Sequence, residues 1–403
     1  MANKHSLKII VIIALLVALG PMATDMYLPS LPTLTESLNT TTSNVQLTLS
    51  IYFFGFAIGQ LIYGPLSDRY GRKPILQIGL VIFVVSSAIA SMATTIEALI
   101  VARLFQAIGG CAGPVLGRAM VRDMFSPEES GRVLSHIASA MALAPAIAPI
   151  IGSVLTVEYG WQANFWFLFG YGLLALATLT FSLSETNKHK NPDAMKPQHL
   201  LANYRMIIKS QEWRLYTLVC SFVFAGLFAF LTSSSFVLIS YMGVSEYAYG
   251  FLFAIIVIGY IIGSQLSARY SKRYGAFTLI HYGSVLAFIS GAIMFLLSLS
   301  DSRNVAIIIA PHFFFMIAVG ITMPLSMAGA LGHFPKNAGS ASALLGFTQM
   351  MLVAIFGIII GSLQTSTASV MAGGIAIAGL LTYISMLRLK YILQKGKKVG
   401  GCT

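Results

Sequence analysis

The chain has 403 residues, 57% of them hydrophobic and 9% charged, and its mean hydropathy is +0.81. Soluble domains carry roughly a quarter of their residues as charged side chains, so this chain has too little polar surface to coat a water-soluble globule. A soluble enzyme, a nucleic-acid-binding protein and a disulfide-rich secreted module are excluded, which leaves a polytopic membrane protein.

A bilayer core about 30 Å thick takes about 20 apolar residues per helix. Twelve such runs follow one another, at 8–31, 43–65, 75–94, 97–121, 131–156, 163–183, 214–240, 247–268, 276–299, 304–330, 339–362 and 367–389. They are continuously apolar without period-two alternation, so they read as helices and not as barrel strands. The expected fold is therefore an all-α membrane protein of twelve transmembrane helices. The first run imitates a signal peptide, with Lys4 and Lys8 before an apolar stretch, but no small-x-small cleavage site follows it, and it reads as a retained helix.

Charge then orients the spans. If both termini lie on one side, that side collects 23 of the 25 basic residues, from Lys4 and Lys8 through Arg69, Arg72 and Lys73 to Lys397 and Lys398. Arg303 alone falls on the other side, and Arg103 lies inside span four. The positive-inside bias places both termini in the cytoplasm, and the net charge of +12 reports topology and contact with anionic lipid. No contiguous basic domain exists to hold nucleic acid. Cys111 and Cys220 lie within spans and Cys402 in the tail, so no disulfide framework or metal-ligand spacing arises. His281 and His312 lie within spans and read as packing or interfacial residues.

The polar stretch 184–213 divides the spans six and six, giving an N-terminal bundle over 1–183, a cytoplasmic linker over 184–213, a C-terminal bundle over 214–389 and a tail over 390–403. A shift of 204 residues maps Gly55 onto Gly259, Gly59 onto Gly263 and Arg69-Tyr70-Gly71 onto Arg273-Tyr274-Gly275. Parallel repeats of this kind are one of the known transporter plans. A receptor or membrane enzyme gives no reason for the duplication. No nucleophile–base pair or nucleotide-binding motif is present, so an ion gradient is the expected energy source and no cofactor is called for.

Between spans two and three the chain reads Gly64-Pro65-Leu66-Ser67-Asp68-Arg69-Tyr70-Gly71-Arg72-Lys73-Pro74. This resembles the signature loop of the major facilitator superfamily at every fixed position. Gly64 permits close helix approach, Gly71 suits a tight turn, and Arg69, Arg72 and Lys73 hold the loop in the cytoplasm. Asp68 is an acid among bases; the N-terminal dipole of span eleven, near Asn337-Ala338-Gly339-Ser340, would attract it when a cytoplasmic gate closes. These residues form the candidate conformational gate.

Three further segments resemble motifs of the same superfamily. Arg103-Leu104-Phe105-Gln106-Ala107-Ile108-Gly109 in span four is similar to the intramembrane Arg-x-x-Gln-Gly pattern of proton-coupled members. Span five carries Pro145-Ala146-Ile147-Ala148-Pro149-Ile150-Ile151-Gly152-Ser153, which is similar to the Gly-Pro-x-x-Gly-Gly antiporter motif, with Ala148 and Ser153 in place of glycines. Thr24-Asp25-Met26-Tyr27-Leu28-Pro29-Ser30-Leu31-Pro32 resembles the end of the first helix in the bacterial Bcr/CflA drug-resistance transporters. The resemblance implies two six-helix bundles in the inner membrane, acting as a monomer that exports small hydrophobic or amphipathic drugs against proton entry.

A charge at bilayer depth is a functional candidate by default, and Asp25 and Arg103 are two such charges. At 1.5 Å per residue they lie about 7 Å and about 9 Å outward of their span midpoints, almost level with one another. Asp25 reads as the proton carrier and Arg103 as the group that tunes it, either directly paired or bridged by water. The alternatives are a cap on span one for Asp25, and a structural ion pair or carbonyl clamp for Arg103. Arg118, with Arg122 and Asp123, reads as a surface cluster at the span-four exit. Gly109, Gly113 and Gly117 form a small-residue stripe toward span one or span five. Candidate substrate contacts are Asp25, Tyr27, Tyr52, Gln106, Ser234 and Gln349. A major facilitator importer or facilitator of a small metabolite is the rival reading.

Overall fold

The computed structural model describes residues 4–188, 190–300, 302–363 and 367–400, which excludes Cys402. All regular structure among them is helical. Eleven helices are long and apolar enough to cross a membrane, and the helix of the fifth predicted run contributes a shorter apolar stretch, Leu143–Tyr159.

The chain clusters into two compact units. The first is Met1–Leu200 with Ser245–Ala254, and the second is Leu201–Val244 with Ile255–Thr403. In the first unit, helix α1 (Lys4–Asp25) stops well short of the predicted end of span one. Pro29 lacks the N–H that would bond the Asp25 carbonyl, so the ladder ends there. The chain continues through a short 3-10 turn at Leu28–Ser30 into α2 (Leu31–Ser37). Then come α3 (Thr42–Tyr70), α4 (Arg72–Ser91), α5 (Ile96–Met124), α6 (Pro127–Tyr159) and α7 (Gln162–Ser182). Side-chain oxygens of Thr41, Thr95 and Ser126 accept from backbone N–H groups to cap α3, α5 and α6.

The second unit begins within α8 (Pro197–Lys209), a helix inside the polar stretch between the two predicted bundles. Ile207 of α8 joins a buried cluster with Trp213, Tyr216 and Leu344. Helix α9 (Gln211–Ser235) passes into a wide π-helical turn, Phe236–Tyr241. There follow α10 (Glu246–Tyr274), α11 (Ala276–Ser298), α12 (Ala306–Gly332), α13 (Ala338–Ser362) and α14 (Ser369–Gly400). Helix α14 carries Arg388, Lys390 and Lys395, so the segment read as a tail is helical as far as Gly400. The first turns of α10 cluster with the first unit, where Tyr247 Oη donates to Glu158 Oε1 at 2.5 Å.

Candidate functional site

The break at the end of α1 organises the polar interior of the first unit. Helix α5 brings Arg103 against this end, and the guanidinium Nη1 donates to the Ala23 carbonyl at 2.9 Å and to Gln106 Oε1 at 2.6 Å. A helix C-terminus leaves carbonyls without intrahelical partners and carries partial negative charge, so a cation is favoured there. Gln106 in turn donates from Nε2 to Ser87 Oγ of α4 at 2.8 Å.

Aromatic rings enclose the rest of the guanidinium. Its central carbon lies 4.5 Å from the Tyr27 ring centroid, 4.3 Å from that of Tyr52 and 5.8 Å from that of Phe165. Arg103 is wholly buried, and its Nε and Nη2 make no hydrogen bond among the described residues; nor does Tyr52 Oη. Tyr27 is fixed by a 2.7 Å hydrogen bond between its Oη and Thr48 Oγ1 and by Phe165 packed on its ring. The ring faces offer cation–π attraction, but they leave donors free that a ligand oxygen could accept from.

Asp25 is 5% exposed, and its Oδ1 accepts from Thr24 Oγ1 at 2.7 Å. Neither Asp25 nor Arg103 makes an ion pair among the described residues. The direct Asp25–Arg103 pairing held open from the sequence is therefore absent. Arg103 acts instead as a carbonyl clamp on α1, because its Nη1 is committed to the Ala23 carbonyl and Gln106.

Gly152 of α6 lies so close to α1 that a Cβ there would overlap the Met26 carbonyl. The glycine of the antiporter-like motif thus sets how closely α6 approaches the segment between Asp25 and Tyr27. Pro145 and Pro149 lie inside α6, which runs through both without interruption. Along α5, Gly113 and Gly117 face Leu16, Ile13 and Val17 of α1, as one of the expected neighbours. Gly109 instead meets Gly79 and Phe83 of α4, because a residue eight positions earlier points away from α1 by most of a right angle.

The signature segment is less of a loop than expected. Gly64 through Tyr70 complete α3, α4 starts at Arg72, and Gly71 alone joins them with φ +112°, a backbone conformation that favours glycine. Gly64 has open space where a Cβ would stand, so it does not serve close helix approach within this unit. Asp68 forms an ion pair with Arg72 one turn on, and Arg72 Nε lies 3.0 Å from Asp123 Oδ2 of α5. Arg69 lies over the Tyr70 ring. Asp123 therefore serves Arg72 and not Arg118. The Arg118 Nε turns back onto the Pro114 carbonyl at 2.9 Å, which departs from the expected surface cluster.

Sequence reasoning missed Glu185. Its carboxylate accepts from the backbone N–H groups of Arg72 and Lys73 at 2.9 and 3.2 Å, capping α4 from the segment after α7. Asn187 Nδ2 adds bonds to the carbonyls of Ser67 and Asp68 at 3.2 and 3.1 Å. Their sequence separation of more than 100 residues left no local signal.

The structure thus gathers Asp25, Tyr27, Tyr52, Arg103 and Gln106 into one polar–aromatic cluster. Ser234 and Gln349 belong to the second unit, buried on α9 and α13, with Gln349 Nε2 3.6 Å from Cys220 Sγ.

Apolar membrane-crossing helices, with a buried charged cluster in the first unit, define a polytopic membrane protein. The profile of the Major Facilitator Superfamily matches residues 13–358, and the chain belongs to this family. A bicyclomycin resistance protein homolog of Haemophilus influenzae is 32% identical over 99% of both chains. Multidrug resistance protein D of Escherichia coli is 27% identical over 87% of each. Among solved structures, a D-xylose-proton symporter superposes with a TM-score of 0.77 at 15% identity, covering 96% of this chain and 97% of its own. That likeness speaks for the fold alone.

Proposed function

We propose that this protein is a proton-coupled exporter of small drugs, working by alternating access in the bacterial inner membrane with both termini in the cytoplasm. The observation that carries the reading is the pair of buried, unpaired charges, Asp25 and Arg103, at the broken end of α1. A carboxyl buried without a counter-ion can take a proton or a cationic ligand as its charge partner. The two free guanidinium nitrogens and Tyr52 Oη can meet the oxygens of a substrate, and the surrounding rings suit an aromatic or amphipathic molecule. The resistance proteins among the relatives support drugs as the substrate class.

In this reading Asp25 binds the driving proton, Arg103 holds the α1 end and contacts the substrate, and Tyr27, Tyr52 and Gln106 shape the pocket. Asp68, Arg72 and Gly71 belong to the gate, where Asp68 is paired with Arg72. The protein acts as a monomer in contact with lipid, needs no cofactor, and takes its energy from the proton gradient.

Drug-induced proton release from inverted vesicles with an imposed pH gradient tests this. A panel of phenicols, bicyclomycin, sulfonamides and lipophilic cations is expected to give release with at least one class, abolished in Asp25→Asn. No release across the panel in folded protein, together with uptake of one metabolite, would instead establish the importer reading.

A further inference from the structure

The two repeats can be registered helix by helix from their closest backbone approaches. In the first unit a Cβ on Gly55 of α3 would stand 2.6 Å from the Leu104 carbonyl of α5. In the second, a Cβ on Gly259 of α10 would stand 2.6 Å from the Phe313 carbonyl of α12. The same two glycines next meet Ala107 of α5 and Met316 of α12, at 3.1 and 3.3 Å from the built Cβ. The glycines are 204 residues apart, whereas both partners, Leu104 with Phe313 and Ala107 with Met316, are 209 apart. The longer offset arises because α11 is longer than α4 and 299–305 is longer than 92–95, which adds six residues by the helix bounds and five by the glycine contacts.

With that register, Arg103 of α5 corresponds to His312 of α12. The surroundings correspond too. Arg103 lies over Tyr27, in the first membrane segment of its bundle just past the end of α1, and is bonded to Gln106 three residues on. His312 is stacked on Phe230, from the first membrane helix of its own bundle, at 3.9 Å and 14°, and on Phe315, three residues on, at 5.7 Å and 9°. His312 is wholly buried, and neither ring nitrogen has a hydrogen-bond partner among the described residues. Buried polar groups are nearly always paired, and each exception calls for an explanation. Phe230 also lies six residues before the π-helical turn Phe236–Tyr241, a kind of turn that recurs at functional sites.

We infer that His312 is a substrate-binding residue of the C-terminal bundle, the counterpart of Arg103, and that it takes an uncharged polar group of an aromatic or amphipathic ligand. A neutral imidazole donates through one nitrogen and accepts through the other, which suits a hydroxyl, amide or carbonyl. The phenyl rings beside it offer faces to an apolar ligand body. If packing were its whole role, phenylalanine would fill the same stack without two unsatisfied nitrogens. This inference rests on the drug-export reading.

The test is calorimetric binding of chloramphenicol and of bicyclomycin to the purified full-length protein, with unfolding temperatures measured in parallel. His312→Phe is expected to weaken binding about tenfold, the equivalent of one hydrogen bond, while unfolding at the same or a higher temperature. His312→Gln, which keeps a donor and an acceptor, is expected to stay within about threefold of wild type. Wild-type affinity in His312→Phe, or equal loss in both variants, overturns the assignment. Where the Phe variant does not fold, the Gln variant decides by the same limits. A wild type that binds neither compound and releases no protons with the panel overturns the export reading itself, and the inference with it.

Discussion

Arg103 holds a full charge in the interior of its bundle with no carboxylate to offset it. A carbonyl, an amide oxygen and two tyrosine faces share that task. Arg103→Lys keeps the charge but loses the planar guanidinium enclosed by the Tyr27 and Tyr52 rings, together with the two donors left for a ligand. We expect it to lower transport about tenfold or more, as lost charge-assisted hydrogen bonds are worth about 1.5–3 kcal/mol each, measured as drug efflux from proteoliposomes. Asp25→Asn separates differently: drug-dependent proton movement should vanish while an uncharged drug still binds, as read by calorimetry. The identity of both residues was legible in the sequence because a charge in an apolar run has nowhere to hide. Their relation was not, because depth along two helices fixes height but not which way a guanidinium reaches. His312 reads as packing or interfacial in the sequence for a related reason: a histidine in an apolar span gives no sign there that both its ring nitrogens are buried without a partner among the described residues.

Two elements lock the first unit. Gly152 brings α6 onto the Met26 carbonyl, a backbone atom that cannot step aside as a side chain could. Gly152→Ala should therefore lower stability by about 1–3 kcal/mol, seen as a drop in unfolding temperature, and displace the Asp25 segment enough to lower drug binding as well. The α3–α4 joint is the other lock, where Glu185 closes the start of α4 from far along the chain. Glu185→Ala removes that cap and should cost about 1–2 kcal/mol, measured by chemical or thermal unfolding, with drug binding in the Arg103 cluster unchanged. The sequence placed most helix starts within a few residues but missed where α1, α3, α10 and α14 end. Helix α3 runs on to Tyr70 with Asp68 and Arg69 on its last turn, and α1 stops at Asp25 because Pro29 denies that residue its partner.

For the molecule as a whole, the duplicated plan was readable from a single constant offset, yet that offset holds only for part of each half. By the contacts of Gly55 and Gly259, α12 lies five residues further along than that shift allows, so a fixed shift aligns α3 with α10 and α4 with α11 while it misplaces α12 by more than a helical turn. The charge asymmetry makes a prediction at this scale. In cells expressing variants that lack Cys402, a membrane-impermeant maleimide should label Thr94→Cys from outside and leave Lys190→Cys unlabelled until the membrane is opened. Both positions are exposed, and Cys111 and Cys220 are buried. The reverse labelling would invert the whole topology.

The interruption after α1 has one more consequence. Met26 to Ser30 is non-α-helical chain within a membrane-crossing segment, and every one of its five residues is buried. Hydrocarbon cannot satisfy loose peptide groups, so irregular backbone at such a depth survives only under a protein cover. Here Gly152, Phe165 and Thr48 supply that cover. A conformational cycle that peeled α6 away from α1 would bare these groups to lipid. The corner that carries Asp25 must therefore travel with its own bundle as one piece, and a proton bound there in the proposed cycle would ride with the bundle and not be handed along it.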